Sequence, residues 1–273
     1  MKRESEFHHK RSLGQNFITD DGLFADLVAL SGVGKEDCVL EIGAGAGGMT
    51  RALAAACREV KAIEVDGALL PILRLALERH GNAEVIHGDV MRLNLREITG
   101  GWARFHVVAN IPYYLTTDLL TMLLKSSMPI ASISVMVQKE AAQRIAAGPG
   151  EAGWGMLAVR AQYAYEPRVA LEVPAQMFTP PPKVDSAFVV MPRREKPAVD
   201  AADEELFFRV AAAAFAMRRK TMENNLIASF RVSREQAGKW LSQCGIPPGA
   251  RGETLSLQDF AALSGAILSE RQP

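Results

Sequence analysis

The chain has 273 residues, with 31 Lys and Arg against 31 Asp and Glu, so its formal net charge is zero. A nucleic-acid-binding domain commonly declares itself by a pI above about 9, so any such partner here must be met by local charge and not by the total. With 48% hydrophobic and 23% charged residues, the composition excludes a disordered, collagenous or coiled-coil chain and suits a globular fold with a large core.

A prior of roughly 150 residues per domain suggests one large domain, or one large and one small. The N-terminal MKRESEFHHKRSLGQNF is charged where a signal peptide would be apolar, and no run of about 18 apolar residues occurs elsewhere, so a cytoplasmic protein without a membrane partner is expected. Cys38, Cys57 and Cys244 lie far apart with no C-x-x-C and no His at zinc spacing. They are expected to be reduced, buried, structural thiols, with no metal bound.

From residue 38 to about 147, short apolar runs alternate with stretches of helical spacing. The runs are CVLEIGA (38–44), EVKAIEV (59–65), AEVIHGD (83–89), FHVVANI (105–111) and ISVMVQ (133–138). Between them lie AGGMTRALAAA, GALLPILRLALERHG, TTDLLTMLLKSS and KEAAQRIAA. Nearly continuous apolar strands separated by helices predict a parallel sheet covered on both faces, a doubly wound α/β domain. Beyond residue 153, WGMLAVRAQYAYEPRVALEVP and SAFVVMPRR read as strands joined without a full helix, so the sheet is expected to end in antiparallel pairing.

The charged, aperiodic REKPAVDAADEE (194–205) is the best linker, and a division into 1–196 and 197–273 follows. Beyond it the chain reads as all helix. LFFRVAAAAFAMRRKTMENNL (206–226) repeats apolar residues at i, i+3 and i+4, Ser233 and Gln236 have capping-box spacing, and SLQDFAALSGAIL ends the pattern.

Where the first strand turns into the first helix, Gly43, Gly45 and Gly48 fit the letters G-x-G-x-x-G, and Glu64 ends the second strand about 20 residues on. Glycines permit a tight turn and close approach of a ligand to the backbone, while a carboxylate at that strand end accepts bonds from ribose hydroxyls. A nicotinamide dinucleotide and S-adenosylmethionine both carry such a ribose; an empty glycine turn is the plain alternative. Strand three ends in Gly88-Asp89, whose carboxylate is placed to accept from an adenine amine, and strand four ends in Asn110-Ile111-Pro112-Tyr113. Together they line the crevice at the carboxyl edge of an open sheet. A dehydrogenase has no use for the fourth.

An adenine amine is a poor nucleophile because its lone pair is delocalised into the ring. Hydrogen bonds accepted from its two protons return lone-pair character to the nitrogen. The Asn110 side-chain oxygen and the backbone carbonyl of Ile111 or Pro112 are two such acceptors, on a loop stiffened by Pro112. Tyr113 offers a ring for stacking, and Phe178, in VPAQMFTPPPKVDSA (173–187), is the candidate for the opposite face of an extruded base. For both aromatics a core position is the plain reading.

These motifs resemble the ribosomal RNA adenine dimethyltransferases, the kasugamycin-sensitivity family of Rossmann-like methyltransferases. The resemblance runs through LGQNF (13–17), EIGAGAG (41–47), Ile63-Glu64, Gly88-Asp89, NIPY (110–113), QKE (138–140), FTPPPKVDS (178–186) and Arg218-Arg219-Lys220 with Asn224 or Asn225. It implies an S-adenosylmethionine-dependent enzyme that dimethylates two adjacent adenosines in a hairpin loop near the 3′ end of small-subunit rRNA, on an assembling 30S subunit, acting as a monomer. It also implies a helical C-terminal domain that meets RNA. Cofactor contacts carried over fall on Asn16, Ile18, Gly43, Gly45, Glu64, Asp89 and Asn110. Asn16 and Ile18 rest on the resemblance alone, and Ile18 stands where the family is expected to have leucine, a departure that a backbone contact tolerates. For Leu13 and Phe17 a packing role over the sheet is expected.

Neutrality hides an uneven distribution of charge. Lys2, Arg3, Lys10 and Arg11 outnumber Glu4 and Glu6 at the N-terminus, beside His8 and His9, and residues 209–234 hold six basic residues against Glu223 alone. Residues 35–97 hold eight basic and ten acidic residues. Lys10, Arg11, Lys183, Arg218, Arg219 and Lys220 are therefore the expected RNA contacts, although basic residues at a helix end also answer the helix carbonyls. A resistance-type methyltransferase of large-subunit rRNA, a non-catalytic assembly or transcription factor, and a NAD-dependent oxidoreductase are the competing readings.

Overall fold

The computed structural model describes residues 17, 18 and 20–270. In chain order the elements are β1 (Phe17–Ile18), α1 (Asp21–Ser31), β2 (Cys38–Ile42), α2 (Gly48–Ala56), β3 (Glu59–Glu64), α3 (Leu70–Ala76), β4 (Ala83–His87), α4 (Leu95–Ile98), β5 (Phe105–Asn110), α5 (Thr116–Lys125), β6 (Ile130–Gln138), α6 (Lys139–Ala146), α7 (Met156–Ala164), β7 (Arg168–Val173), β8 (Phe178–Thr179) and β9 (Ser186–Pro192). They are followed by α8 (Glu204–Ala216), α9 (Met222–Phe230), α10 (Arg234–Gln243) and α11 (Leu257–Ser269).

Seven strands form one sheet in the order β4-β3-β2-β5-β6-β9-β7. The first five run parallel, and β9 lies antiparallel between β6 and β7. The five apolar runs are the five parallel strands. β2 is buried along its whole length and β6 along all but its last residue, as a parallel sheet covered on both faces requires. A separate two-stranded pair joins β1 to β8, with Ile18 opposite Phe178.

The helix α1 went unread from periodicity, although its ends are marked. The Asp20 carboxylate accepts from the amides of Gly22 and Leu23 at 2.8 and 3.3 Å, and Gly32 stops the helix in the left-handed region.

Residues 154–174, expected to be strand, are not strand throughout. Only β7 is a strand, and the alanine-rich Met156–Ala164 is helical, consistent with the helix propensity of Ala, Leu and Met. The long helix expected over 206–226 is also two helices. Met217 leaves α8, and Thr221 takes an extended conformation as the N-cap of α9, where its backbone bridges Arg251 and the next amide, of Met222, donates to the Ala250 carbonyl at 2.7 Å. Arg218, Arg219 and Lys220 therefore sit in a turn.

The described residues divide into two compact units, those up to 142 with 168–193 and 143–167 with those from 194 onward. This differs from the expected division at 196, because α7 packs with the C-terminal helices. Tyr163 stacks on Phe207 with ring centroids 4.9 Å apart, and the Trp154 indole donates to the Leu255 carbonyl at 3.0 Å. The linker docks on the same unit: Arg194 is held by the Gln162 and Tyr165 carbonyls and by Glu166, and Val199 enters the core. Cys38 and Cys57 are buried, Cys244 is half-buried, and all three are free. Among the described residues no helix is long and apolar enough to cross a membrane, and no cluster of His, Cys, Asp and Glu could hold a metal.

Candidate active site

At the carboxyl edge of the parallel sheet the ends of β2, β3 and β5 open into one cleft. β2 leaves the sheet at Gly43, whose φ of 82° lies in the left-handed region and whose amide, with that of Ala44, donates to the Ile63 carbonyl. A β-carbon on Gly43 would stand 2.9 Å from the main-chain oxygen of Asn110, so the glycine lets the turn after β2 lie directly against the end of β5. At Gly48 the neighbour is the Phe24 ring of α1, which a β-carbon would meet at 2.2 Å. Gly43, Gly45 and Gly48 all line the cleft.

Glu64 ends β3 with only 5% of its surface exposed. Its carboxylate ties the loops together, one oxygen accepting from the Gly45 amide at 2.8 Å and the other from the Asp66 amide at 2.7 Å. Each oxygen keeps a second lone pair for a ligand in the cleft. Glu41, the penultimate residue of β2, is a second buried acid, 1% exposed, and it was not singled out from the sequence. Burial pushes its carboxyl up to about 8; the nearby Thr50 hydroxyl lowers it in part and the charge of Glu64 adds to the rise.

The motif at the end of β5 lines the same cleft through Asn110, Ile111, Pro112 and Tyr113. The Pro112 carbonyl accepts from the Leu115 amide at 2.9 Å and closes a single 3-10 turn over Tyr113–Leu115. The Tyr113 hydroxyl lies 2.9 Å from the Ser186 hydroxyl, and burial holds its phenol above the usual range, with the Ser186 bond lowering it in part. Phe178 is both core and lining: it is 2% exposed, and strand β8 carries it opposite Ile18, which lines the cleft as well.

Asp89 is not among the lining residues. The Gly88 amide donates to the Glu64 carbonyl at 2.9 Å, which puts Asp89 next to the end of β3. Its own carboxylate accepts from the Met91 amide at 3.0 Å and lies 3.5 Å from Arg92. Lys183, in the proline-rich loop, and Arg218, Arg219 and Lys220, in the α8–α9 turn, are exposed and do not line the cleft. Lys10, Arg11 and Asn16 lie outside the described residues, as do His8, His9 and Leu13. Phe17, expected only to pack, lines the cleft, and so do Phe24, Met49 and Leu69, which the sequence did not single out. Apolar residues at element ends carry no pattern that separates a lining role from a core one.

The family described as Ribosomal RNA adenine dimethylase matches residues 6–266. The chain is 45% identical to the Ribosomal RNA small subunit methyltransferase A of Shouchella clausii (strain KSM-K16), over 96% of this chain and 91% of that one. It is 41% identical to the protein of the same name from Streptococcus sanguinis (strain SK36), over 97% and 93%. Among solved structures, the 23S rRNA methyltransferase ErmE is similar with a TM-score of 0.74 at 26% identity, covering 92% of this chain and 99% of that one. A dimethyladenosine transferase from Plasmodium falciparum shares the fold with a TM-score of 0.76 at 21% identity, covering 94% and 98%. With almost the whole sequence inside the match, the chain belongs to the ribosomal RNA adenine dimethylase family.

Proposed function

We propose that this protein transfers methyl groups from S-adenosylmethionine to the exocyclic N6 amine of two adjacent adenosines in the 3′-terminal hairpin loop of small-subunit rRNA. The observation that carries this reading is that the Asn110–Tyr113 loop and the glycine loop with Glu64 line one cleft. The cofactor fits the residues present: the backbone of Gly43, Gly45 and Gly48 lines the cleft, a carboxylate lies where a ribose can meet it, and Phe24, Met49 and Leu69 add apolar walls. Ile18, Gly43, Gly45, Glu64 and Asn110 would hold it, and Asp89 and Asn16 are proposed as further contacts on the resemblance to the family. Bound, it supplies a methyl group on a sulfonium that leaves as a neutral thioether, so no strong base is required.

The protein's own work is then to orient and polarise the amine. The Asn110 side-chain oxygen accepts from one N6 proton. The Pro112 carbonyl already closes the turn to Leu115, which favours the Ile111 carbonyl for the other. Orientation of this kind is worth several kcal/mol of effective concentration. Tyr113 and Phe178 face the extruded base, and base–aromatic stacking contributes about 1–3 kcal/mol per contact.

Lys183, Arg218, Arg219 and Lys220, with Lys10 and Arg11, are the proposed phosphate contacts. A neutral protein with local basic clusters should bind bulk RNA poorly and depend on a shaped target, so an assembling small subunit in the cytoplasm, met by a monomer, is the proposed setting. Relatives at 41–45% identity are named for the small subunit, which favours that substrate over large-subunit rRNA. Thermal-shift titration tests the cofactor: S-adenosylmethionine at 100 times its Kd should stabilise the protein by about 2.7 kcal/mol. Stabilisation by NAD and not by S-adenosylmethionine contradicts the reading.

A further inference from the structure

Ser186 begins β9, the strand enclosed between β6 and β7, and its backbone is fixed on both flanks, opposite Gln138 on one side and Val173 on the other. Its side chain is fully buried, and its hydroxyl lies 2.9 Å from that of Tyr113, 73 residues earlier in the chain. Tyr113 itself stands on a three-residue 3-10 turn, an element too short to hold a side chain firmly by its own hydrogen bonds. The ring is therefore gripped at two ends, at its α-carbon by the turn behind Pro112 and at its hydroxyl by the antiparallel part of the sheet. Burial raises the phenol above its ordinary range, which favours the hydroxyl as an anchor over a base.

We propose that Ser186 is a positioning residue: by holding the Tyr113 hydroxyl it fixes the direction and reach of the ring against which the target adenine stacks, and with it the approach of the N6 amine to the methyl donor. This rests on the reading of Tyr113 as the stacking face. An aromatic ring already fixed loses little conformational freedom when the base arrives, which is the advantage of preorganisation. It also gives the antiparallel strands a part in the chemistry, although Ser186 does not itself line the cleft.

The test is a double-mutant cycle in the full-length protein with Tyr113→Phe and Ser186→Ala, measuring kcat and KM for methyl transfer to unmodified small subunits, the Kd for S-adenosylmethionine and the melting temperature. Each single variant is expected to lower kcat about tenfold, the factor of one net hydrogen bond, with the Kd for S-adenosylmethionine unchanged. The double variant should be no slower than either single, because both remove one contact. Losses that multiply to about a hundredfold, wild-type kcat in both singles, or a loss confined to KM for the subunit each overturn the proposal. If Ser186→Ala does not fold, Tyr113→Phe, which keeps the ring, carries the test through kcat alone. Failure of the wild-type protein to methylate adenine at all overturns the functional reading instead, and is seen in the same assay.

Discussion

Gly43 and Asn110 touch through their backbones: a β-carbon on Gly43 would lie 2.9 Å from the Asn110 carbonyl oxygen. The loop read as the cofactor cradle and the loop read as the amine acceptor are thus packed against each other backbone to backbone. Gly43→Ala is expected to impose both a left-handed alanine and a clash with backbone, at a cost of about 1–3 kcal/mol. Urea unfolding should register that loss, and calorimetric titration should find S-adenosylmethionine binding weakened at least tenfold. Unchanged affinity contradicts the packing argument.

Asn110→Ala leaves that backbone contact in place and removes only the side-chain acceptor. Methyl transfer should fall by about 10²–10³, in the range for loss of one preorganised polar group, while S-adenosylmethionine still binds measurably. Single-turnover rates with saturating cofactor check this, and a wild-type rate contradicts the amine contact.

Glu41 gives the fold a dependence on pH whose sign can be worked out. Its carboxyl rises from 4.5 to about 8 in the folded protein, so between those values the native state keeps a proton that the unfolded chain has released. Stability from this group therefore declines as pH rises through that window, by at most about 1.4 kcal/mol per unit. Glu41→Gln should be more stable than the wild type at pH 8 by a margin that narrows towards pH 5. A margin independent of pH in urea unfolding contradicts the assignment.

Arg218, Arg219 and Lys220 are exposed in the turn between α8 and α9. If all three meet phosphate, changing them to alanine should reduce the slope of log K against log salt for RNA binding by about 2–3. An unchanged slope returns them to the role of a solvated turn.

Much of the sheet was legible because its strands are short, continuous apolar runs between glycine turns, and Gly43, Glu64 and the Asn110–Tyr113 loop fall at strand ends that any open α/β sheet brings together. The sequence misled where local pattern and tertiary context disagree. Residues 156–164 alternate enough to resemble a strand, yet their alanines and the packing of Tyr163 on Phe207 make a helix. Residues 206–226 keep helical spacing through a turn that is fixed by a distant contact, the Met222 amide with the Ala250 carbonyl, and by the buried Asn225 side-chain amide, which donates across the turn to the Ala214 carbonyl at 3.1 Å. Glu41 and Ser186 were passed over because nothing in a single sequence says that a strand carboxylate is buried or which hydroxyl a serine will meet.

The central claim is tested most directly by mass spectrometry of nucleosides from unmodified small subunits incubated with the protein and S-adenosylmethionine. The account predicts N6,N6-dimethyladenosine at two adjacent positions near the 3′ end of the rRNA, and its loss with Asn110→Ala. Methylation of another atom or of large-subunit rRNA alone, or no methylation by a protein that binds the cofactor, would contradict it.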